Sequence, residues 1–453
     1  MIRRSTALVL TTILLPLAAR GAPQPNVIIL LADDLGYADV GYHGSPDMKT
    51  PNIDSISRNG VQFPAGYVSA PVCAPSRAGL LTGLYQNRFG FEDNPGPYKL
   101  SAEVKIGIPT AVENLPKRMR TLGYRTGMVG KSHTGNAPEF HPTASGFEEF
   151  FGFINGASNY RTDMRFGEEI NEANNPILRN RTKVKEHEYL TDAFGREAVA
   201  FIDRHKDERF FLYVAFNAIH GPLQARDEDL ARFKDIKDKR RQLAVAMNYN
   251  LDLNIGRILS ALRTHNLENN TLVVFLSDNG GKPDDNSSLN TPLRGWKTQL
   301  WDGGIRIPFC LQWPAQVAPG RKIASPVMSI DLLPTILAAT GAALPAKIDG
   351  TNLLPVVTGK ADKLPPRNLY WRFNDSWAVR DADWKLICIG TQGKPQLFRI
   401  ATDISESKNL VSDEPAIARR LETAYKEWAA QMMPKQWGWN KSFPVNDPTM
   451  GGK

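Results

Sequence analysis

Four hard oxygen donors stand in two pairs, Asp33-Asp34 and Asp278-Asn279, and each pair directly follows an apolar run. Adjacent carboxylates that must share one site repel each other unless a cation neutralises them. An all-oxygen donor set suits calcium or magnesium, whereas zinc sites draw on His or Cys. A second constellation is Cys73-Ala-Pro-Ser-Arg77-Ala-Gly-Leu-Leu-Thr-Gly83. A cysteine just ahead of a helix lies among unpaired backbone N–H groups, which favour anions. Pro75 suits the first turn of that helix, and Arg77 points back toward the same anion. A lone cysteine is by default a small buried hydrophobe. An unmodified thiol beside a hard-cation site is also an odd pairing, because calcium does not favour sulfur.

The elements that must position these residues follow from hydrophobic patterning. Asn26-Val-Ile-Ile-Leu-Leu-Ala is short, apolar and uninterrupted, as a strand buried on both faces would be. Tyr124 to Val129 repeats the pattern and runs into Gly130-Lys131-Ser132-His133. Phe210 to Phe216 ends at Asn217 and His220, and Thr271 to Ser277 ends at Asp278. Ala111 to Leu122, Leu190 to His205 and Leu243 to Leu262 carry apolar residues at helical spacing. This alternation predicts an α/β fold, a large mostly parallel sheet sandwiched by helices, with ligands bound beyond the carboxyl ends of the strands. From about residue 365 the pattern changes. Leu369 to Phe373, Ser376 to Arg380, Trp384 to Ile389 and Gln396 to Ile400 read as short strands, and Ala416 to Gln431 reads as an amphipathic helix. We therefore expect a catalytic domain over 22–364 and a small C-terminal α+β subdomain with a tail over 365–453.

Composition bounds the function. The chain has 453 residues, 42% hydrophobic and 23% charged, which excludes collagen-like and wholly disordered readings. The formal charge of +8 is scattered without a basic run, which counts against nucleic-acid binding and is compatible with a polyanionic substrate. Three cysteines with no C-x-x-C spacing exclude a disulfide framework and a zinc knuckle. Arg3 and Arg4 precede a short apolar run from Thr6 to Ala19, and Ala19-Arg20-Gly21 resembles a signal-peptidase site. Residues 1–21 are thus expected to be a signal peptide, and the protein to be exported, periplasmic or secreted. No membrane span is expected after cleavage.

The Cys73–Gly83 segment resembles the signature of the type I, formylglycine-dependent sulfatases, arylsulfatase-like members of the alkaline phosphatase superfamily. Further similarity lies in Ala32-Asp-Asp-Leu-Gly-Tyr37, Thr50-Pro-Asn-Ile-Asp54 and Gly123 to Gly135. It continues through Phe216 to Ala225, Ser277 to Gly281, Leu293 to Phe309 and Asp381 to Ile387. The resemblance implies that a maturation enzyme converts Cys73 to formylglycine, whose hydrate attacks sulfur. It also implies one calcium ion held by Asp33, Asp34, Asp278, Asn279 and an oxygen of residue 73. By the same resemblance His133 serves as base, His220 as donor to the leaving oxygen, Lys131 and Lys297 as holders of sulfate oxygens, and Arg77 as the group that pins the hydrated aldehyde. Ser132 and Thr134 depart from the Trp and Leu frequent in the family, and Trp296 stands where glycine is common.

The implied reaction is hydrolysis of a sulfate monoester by a sulfuric ester hydrolase, on an extracellular sulfated carbohydrate. Galactose- and N-acetylgalactosamine-type sulfates lead on overall likeness. Trp296, Trp301, Tyr160 and Tyr370-Trp371-Arg372-Phe373 are candidates to flank a sugar ring, and His43 and His187 to line the pocket. Asn155 to His187, with Arg161, Arg165, Arg179, Arg181 and Lys183, is a candidate specificity loop. Two rivals are a phosphate or phosphonate monoester hydrolase of the same superfamily and a non-catalytic calcium-dependent glycan binder.

Overall fold

The computed structural model describes residues 24–95, 105–161 and 175–436. The expected leader, Arg165 and the end of the tail lie outside them. A ten-stranded sheet forms the middle of the molecule. Its central five strands are parallel, in the spatial order Thr271–Ser277, Asn26–Ala32, Phe210–Ala215, Arg125–Lys131 and Glu149–Phe153. Phe309–Gln312 joins antiparallel beside Thr271–Ser277, and the short strands Val61–Gln62 and Arg321–Lys322 finish that edge.

Every residue of Asn26–Ala32 is buried because the sheet is covered on both faces. Val27, Ile29 and Leu31 enter one core and Ile28, Leu30 and Ala32 the other. Full burial of each larger aliphatic side chain contributes about 1.5–3 kcal/mol. The helices Leu190–Arg204 and Lys239–Thr264 cover the second face. Asp238 caps the longer helix by accepting from the backbone N–H groups of Arg240 and Arg241. On the first face lie the helices Cys73–Thr82 and Leu332–Ala339 and a four-stranded antiparallel C-terminal sheet, Leu369–Phe373, Ser376–Arg380, Lys385–Cys388 and Gln396–Phe398. Helix Pro415–Ala429 packs on that small sheet, with Tyr425 stacked on Trp377 at 4.4 Å.

Two expected elements differ. The helix expected from Ala111 begins at Leu115, because Asn114 accepts a hydrogen bond from Lys117 N and caps it there. Within the Asn155–His187 stretch, Leu178–Arg179 and Thr182–Lys183 form a hairpin that adds two edge strands to the main sheet. Asn180, at φ 53°, makes the turn.

Candidate active site

Strand register brings the predicted residues to one edge. Ala32 pairs with Ser277, so Asp33-Asp34 and Asp278-Asn279 leave neighbouring strands side by side. Asp34 turns out of its strand at φ 59°, and its N–H donates to Asp278 Oδ1 at 3.2 Å. Asn286 Nδ2 and Ser288 Oγ donate to the Asp34 carbonyl at 2.9 and 3.0 Å and hold this turn. Lys131 ends a third strand after Gly130, whose φ is 111° and where a Cβ would meet Ala215 O at 1.9 Å; only glycine fits. Cys73 opens its helix, and Ala74 N–H donates to Asn94 Oδ1 at 2.9 Å.

The side chains converge, all buried except His220, which is partly exposed. Cys73 Sγ lies 3.5 Å from Asp33 Oδ1 and 4.0 Å from Asp34 Oδ1. Arg77 donates to Asp278 Oδ2 through Nε and Nη2, at 3.0 and 2.8 Å, and to the Lys131 carbonyl at 2.8 Å. Lys131 Nζ donates to Asp33 Oδ2 at 2.6 Å, and Lys297 Nζ to Asp34 Oδ2 at 2.8 Å. Asn279 Nδ2 donates to Asp34 Oδ1 at 2.7 Å, and His220 Nε2 lies 3.7 Å from Asp34 Oδ2. Three carboxylates and three cations therefore share one buried volume.

Burial would raise the Asp34 carboxyl, but Lys297, His220 and Lys131 outweigh it and hold it well below the usual range. Asp278 is raised by burial and by Asp33 beside it. Burial would lower Lys131 and Lys297, yet the facing carboxylates hold both above the ordinary lysine value. His220 is pushed down to about 4 by burial and by Lys297, and its Nδ1 lies 2.7 Å from the Gly221 carbonyl. His133 is pushed far down by burial and by Lys131 and Arg77. A neutral imidazole can accept a proton, as a base must. Neither of its ring nitrogens has a hydrogen-bond partner among the described residues. The Cys73 thiol is pushed up by burial, so it is a poor thiolate nucleophile as it stands.

The oxygen donors of this set fit a hard cation, with the Cys73 sulfur standing where an oxygen of a modified residue 73 would be. Atoms of Asp33, Asp34, Cys73 and His220 lie within 4.8 Å of one another, and Asn279 Oδ1 is buried without a partner among the described residues.

The aromatic candidates separate. Trp296, 41% exposed, keeps a surface beside Lys297. Tyr160 is buried, and its hydroxyl donates to the carbonyls of Asn217 and His220, so it holds the His220 loop in place of a sugar. Trp371 is fully buried and donates to the Val68 carbonyl at 2.7 Å. Phe373 is core, Tyr370 stacks on Trp428, and Arg372 pairs with Glu92. Trp301 lies under the Arg294 guanidinium, 3.7 Å from its ring centre. His43 stacks on Tyr37 at 4.0 Å, and His187 is an exposed residue. Arg161 bonds Asp227, Arg179 pairs with Glu197, and Arg181 reaches the Pro138 carbonyl. Asn94, Asn286, Ser288 and the Tyr160 hydroxyl escaped the sequence reading, since a lone amide or hydroxyl carries no pattern.

Comparison with known proteins agrees with this geometry. The model of the sulfatase family matches residues 25–342, and that of the N-sulphoglucosamine sulphohydrolase C-terminal region matches residues 295–431. The N-acetylgalactosamine-6-sulfatase of Mus musculus is 33% identical over 422 residues, covering 87% of this chain and 78% of that protein. The human enzyme of the same name is 35% identical over 366 residues, covering 75% and 67%. Among solved structures, Ps i-CgsB in complex with k-i-k-neocarrahexaose superposes with a TM-score of 0.85 at 36% identity, covering 94% of this chain and 96% of that one. The chain belongs to the sulfatase family, enzymes that hydrolyse sulfuric esters.

Proposed function

We propose that this sulfatase hydrolyses a sulfate monoester on an extracellular sulfated carbohydrate, with Cys73 converted to formylglycine and one calcium ion held by Asp33, Asp34, Asp278 and Asn279. The observation that carries this reading is the meeting of Cys73 with three carboxylates and three cations at one buried sheet edge. Calcium would supply charge neutralisation for the carboxylates and for the sulfate. Formylglycine would supply, as its hydrate, the oxygen nucleophile that the high-pKa thiol cannot be.

The chain's own residues divide the remaining work. Lys131 and Lys297 hold sulfate oxygens, fixing sulfur in line with residue 73 and offsetting charge that builds up in transfer. Arg77, anchored on Asp278 and the Lys131 carbonyl, fixes the start of the Cys73 helix. His133 accepts a proton from residue 73, and His220 Nε2 hydrogen-bonds the departing alcohol oxygen. The likeness to sulfatases of N-acetylgalactosamine 6-sulfate and to a structure holding a neocarrahexaose supports a sugar substrate. Among the described residues no helix is long and apolar enough to cross a membrane. Export is part of this proposal and rests on the first 21 residues.

The test is the mass of the peptide containing residue 73, together with sulfate and phosphate release from matched aryl esters in the presence of calcium. An aldehyde and faster sulfate release are expected. An intact thiol in an active protein would overturn the formylglycine mechanism, and faster phosphate release would overturn the substrate class.

A further inference from the structure

One side chain at this edge has no task in the scheme above. Asn217 follows strand Phe210–Ala215 and is 1% exposed, yet neither Oδ1 nor Nδ2 has a hydrogen-bond partner among the described residues. Burying an amide strips water from both atoms, and native proteins return those bonds through protein, water or ligand. A leucine of similar size would fill the same space without that cost.

Register places Asn217 in the site. Ala215 pairs with Leu31 on one side and Gly130 on the other, and Asn217 follows two residues later, where the chain runs alongside Asp33. The Asp33 N–H donates to the Ala218 carbonyl at 2.9 Å, and Ile219 N–H donates to the Asp33 carbonyl at 2.8 Å, which ties the segment down. Side-chain alternation puts Asn217 on the face of Phe211, Tyr213 and Ala215. That core also holds Leu80 and Leu81 of the Cys73 helix, whereas Phe216 enters the opposite core. The Asn217 carbonyl is already engaged, accepting from His220 N–H and from the Tyr160 hydroxyl. The backbone is thus fixed while the side-chain amide stays open, as does the ring of His133.

We propose that Asn217 is a further substrate-binding residue, its Nδ2 donating a hydrogen bond to a sulfate oxygen. This rests on the sulfate-ester reading of the site. Sulfate oxygens only accept at neutral pH, and Lys131, Lys297 and Arg77 already balance the carboxylates. A neutral donor adds direction without adding charge.

The test uses the full chain carrying Cys73→Ala, which cannot turn over, and inorganic sulfate as the probe in calcium-containing buffer, read by titration calorimetry. Asn217→Leu is expected to weaken sulfate binding about 10-fold while leaving the melting temperature unchanged or higher. In the enzyme with residue 73 unsubstituted, the same substitution is expected to raise KM for an aryl sulfate. A lower melting temperature with unchanged sulfate affinity would make Asn217 a structural residue and overturn the proposal. Should Asn217→Leu fail to fold, Asn217→Ser carries the same expectation and the same refutation. The two levels separate cleanly. If the protein with Asn217 intact neither binds sulfate nor releases it from an aryl ester, the reading of the site fails. If it does both and Asn217→Leu matches it, only this inference fails.

Discussion

Two of the buried charge clusters among the described residues are built on opposite plans. At the active-site edge, Asp33, Asp34 and Asp278 face Arg77, Lys131 and Lys297, while His133, Asn217 and Asn279 Oδ1 are left open. The second cluster joins the helix Asp302–Ile305 to the C-terminal sheet through Lys385. There Lys385 Nζ lies 2.8 Å from both Asp302 Oδ1 and Glu406 Oε1, and Tyr67 donates to Asp302 Oδ2 at 2.8 Å. Asp302 N–H donates to Glu406 Oε2 at 2.7 Å, and Arg306 approaches from the other side. Charges that pair with one another hold two parts of a fold together, and here even the one acceptor without a hydrogen bond among the described residues, Glu406 Oε1, lies against the Lys385 ammonium. Charges that leave donors and acceptors open inside a protein are arranged for something that arrives later.

The comparison breaks most sharply on function. Asp34→Asn is expected to lower kcat/KM for an aryl sulfate by about 10⁴-fold or more, because it alters the cation site and the partner of Lys297 together. Its melting temperature without calcium should also fall, because Lys297 is left buried without the carboxylate it faces. A large loss of stability with activity retained would reverse the assignment of the two clusters.

Lys385→Met should do the opposite. It strands Asp302 and Glu406 without their shared cation, a change that costs about 3–5 kcal/mol. Urea unfolding should register that loss while the folded fraction remains active. Calcium then sharpens the contrast. A ligand present at 100 times its Kd stabilises the folded state by about 2.7 kcal/mol. That increment should appear in the parent and in Lys385→Met, be removed by a chelator, and vanish in Asp34→Asn. Equal calcium stabilisation in all three proteins would place the ion elsewhere.

The active cluster was legible in the sequence and the structural one was not, for a physical reason. Asp33, Asp278 and Lys131 lie where an apolar run gives way to polar residues, and that switch marks a strand end locally, whereas Cys73, Arg77 and Lys297 were reached through the family resemblance. Lys385 and Glu406 lie 83 and 104 residues from Asp302 along the chain, with no local period to connect them. The strands around Lys385 could be read, but not that its ammonium would be buried. Aromatic residues misled for a related reason. Tyr160 and Trp371 have the size to flank a sugar, yet their polar tips meet backbone carbonyls inside the protein, and only packing decides which. Asn155 to His187 read as a polar loop because two-residue strands are too short to show alternation.

The smallest effect concerns His43, at the outskirts of the structural cluster. Its ring stacks on Tyr37, its Nδ1 lies 2.7 Å from the Tyr37 carbonyl, and Arg306 stands over the other ring of the pair. Burial first, and then Arg306 and Lys322, push the imidazole down to about 4 from an ordinary value of 6.5. Between those two pH values the unfolded chain takes up a proton that the folded chain refuses. Stability therefore falls as pH drops through that window, by about 2 kcal/mol after allowance for partial exposure. His141, also lowered to about 4, adds a step of the same sign. His43→Gln keeps a donor for the Tyr37 carbonyl and removes the proton site, so its unfolding free energy should decline less between pH 6.5 and 4.5. Activity per folded molecule should change little, because His43 packs on Tyr37 and not on the residues that meet at Cys73. An unchanged slope would mean that the His43 pocket accommodates the imidazolium. A changed kcat at constant stability would place His43 in the substrate path and blur the line between the two clusters.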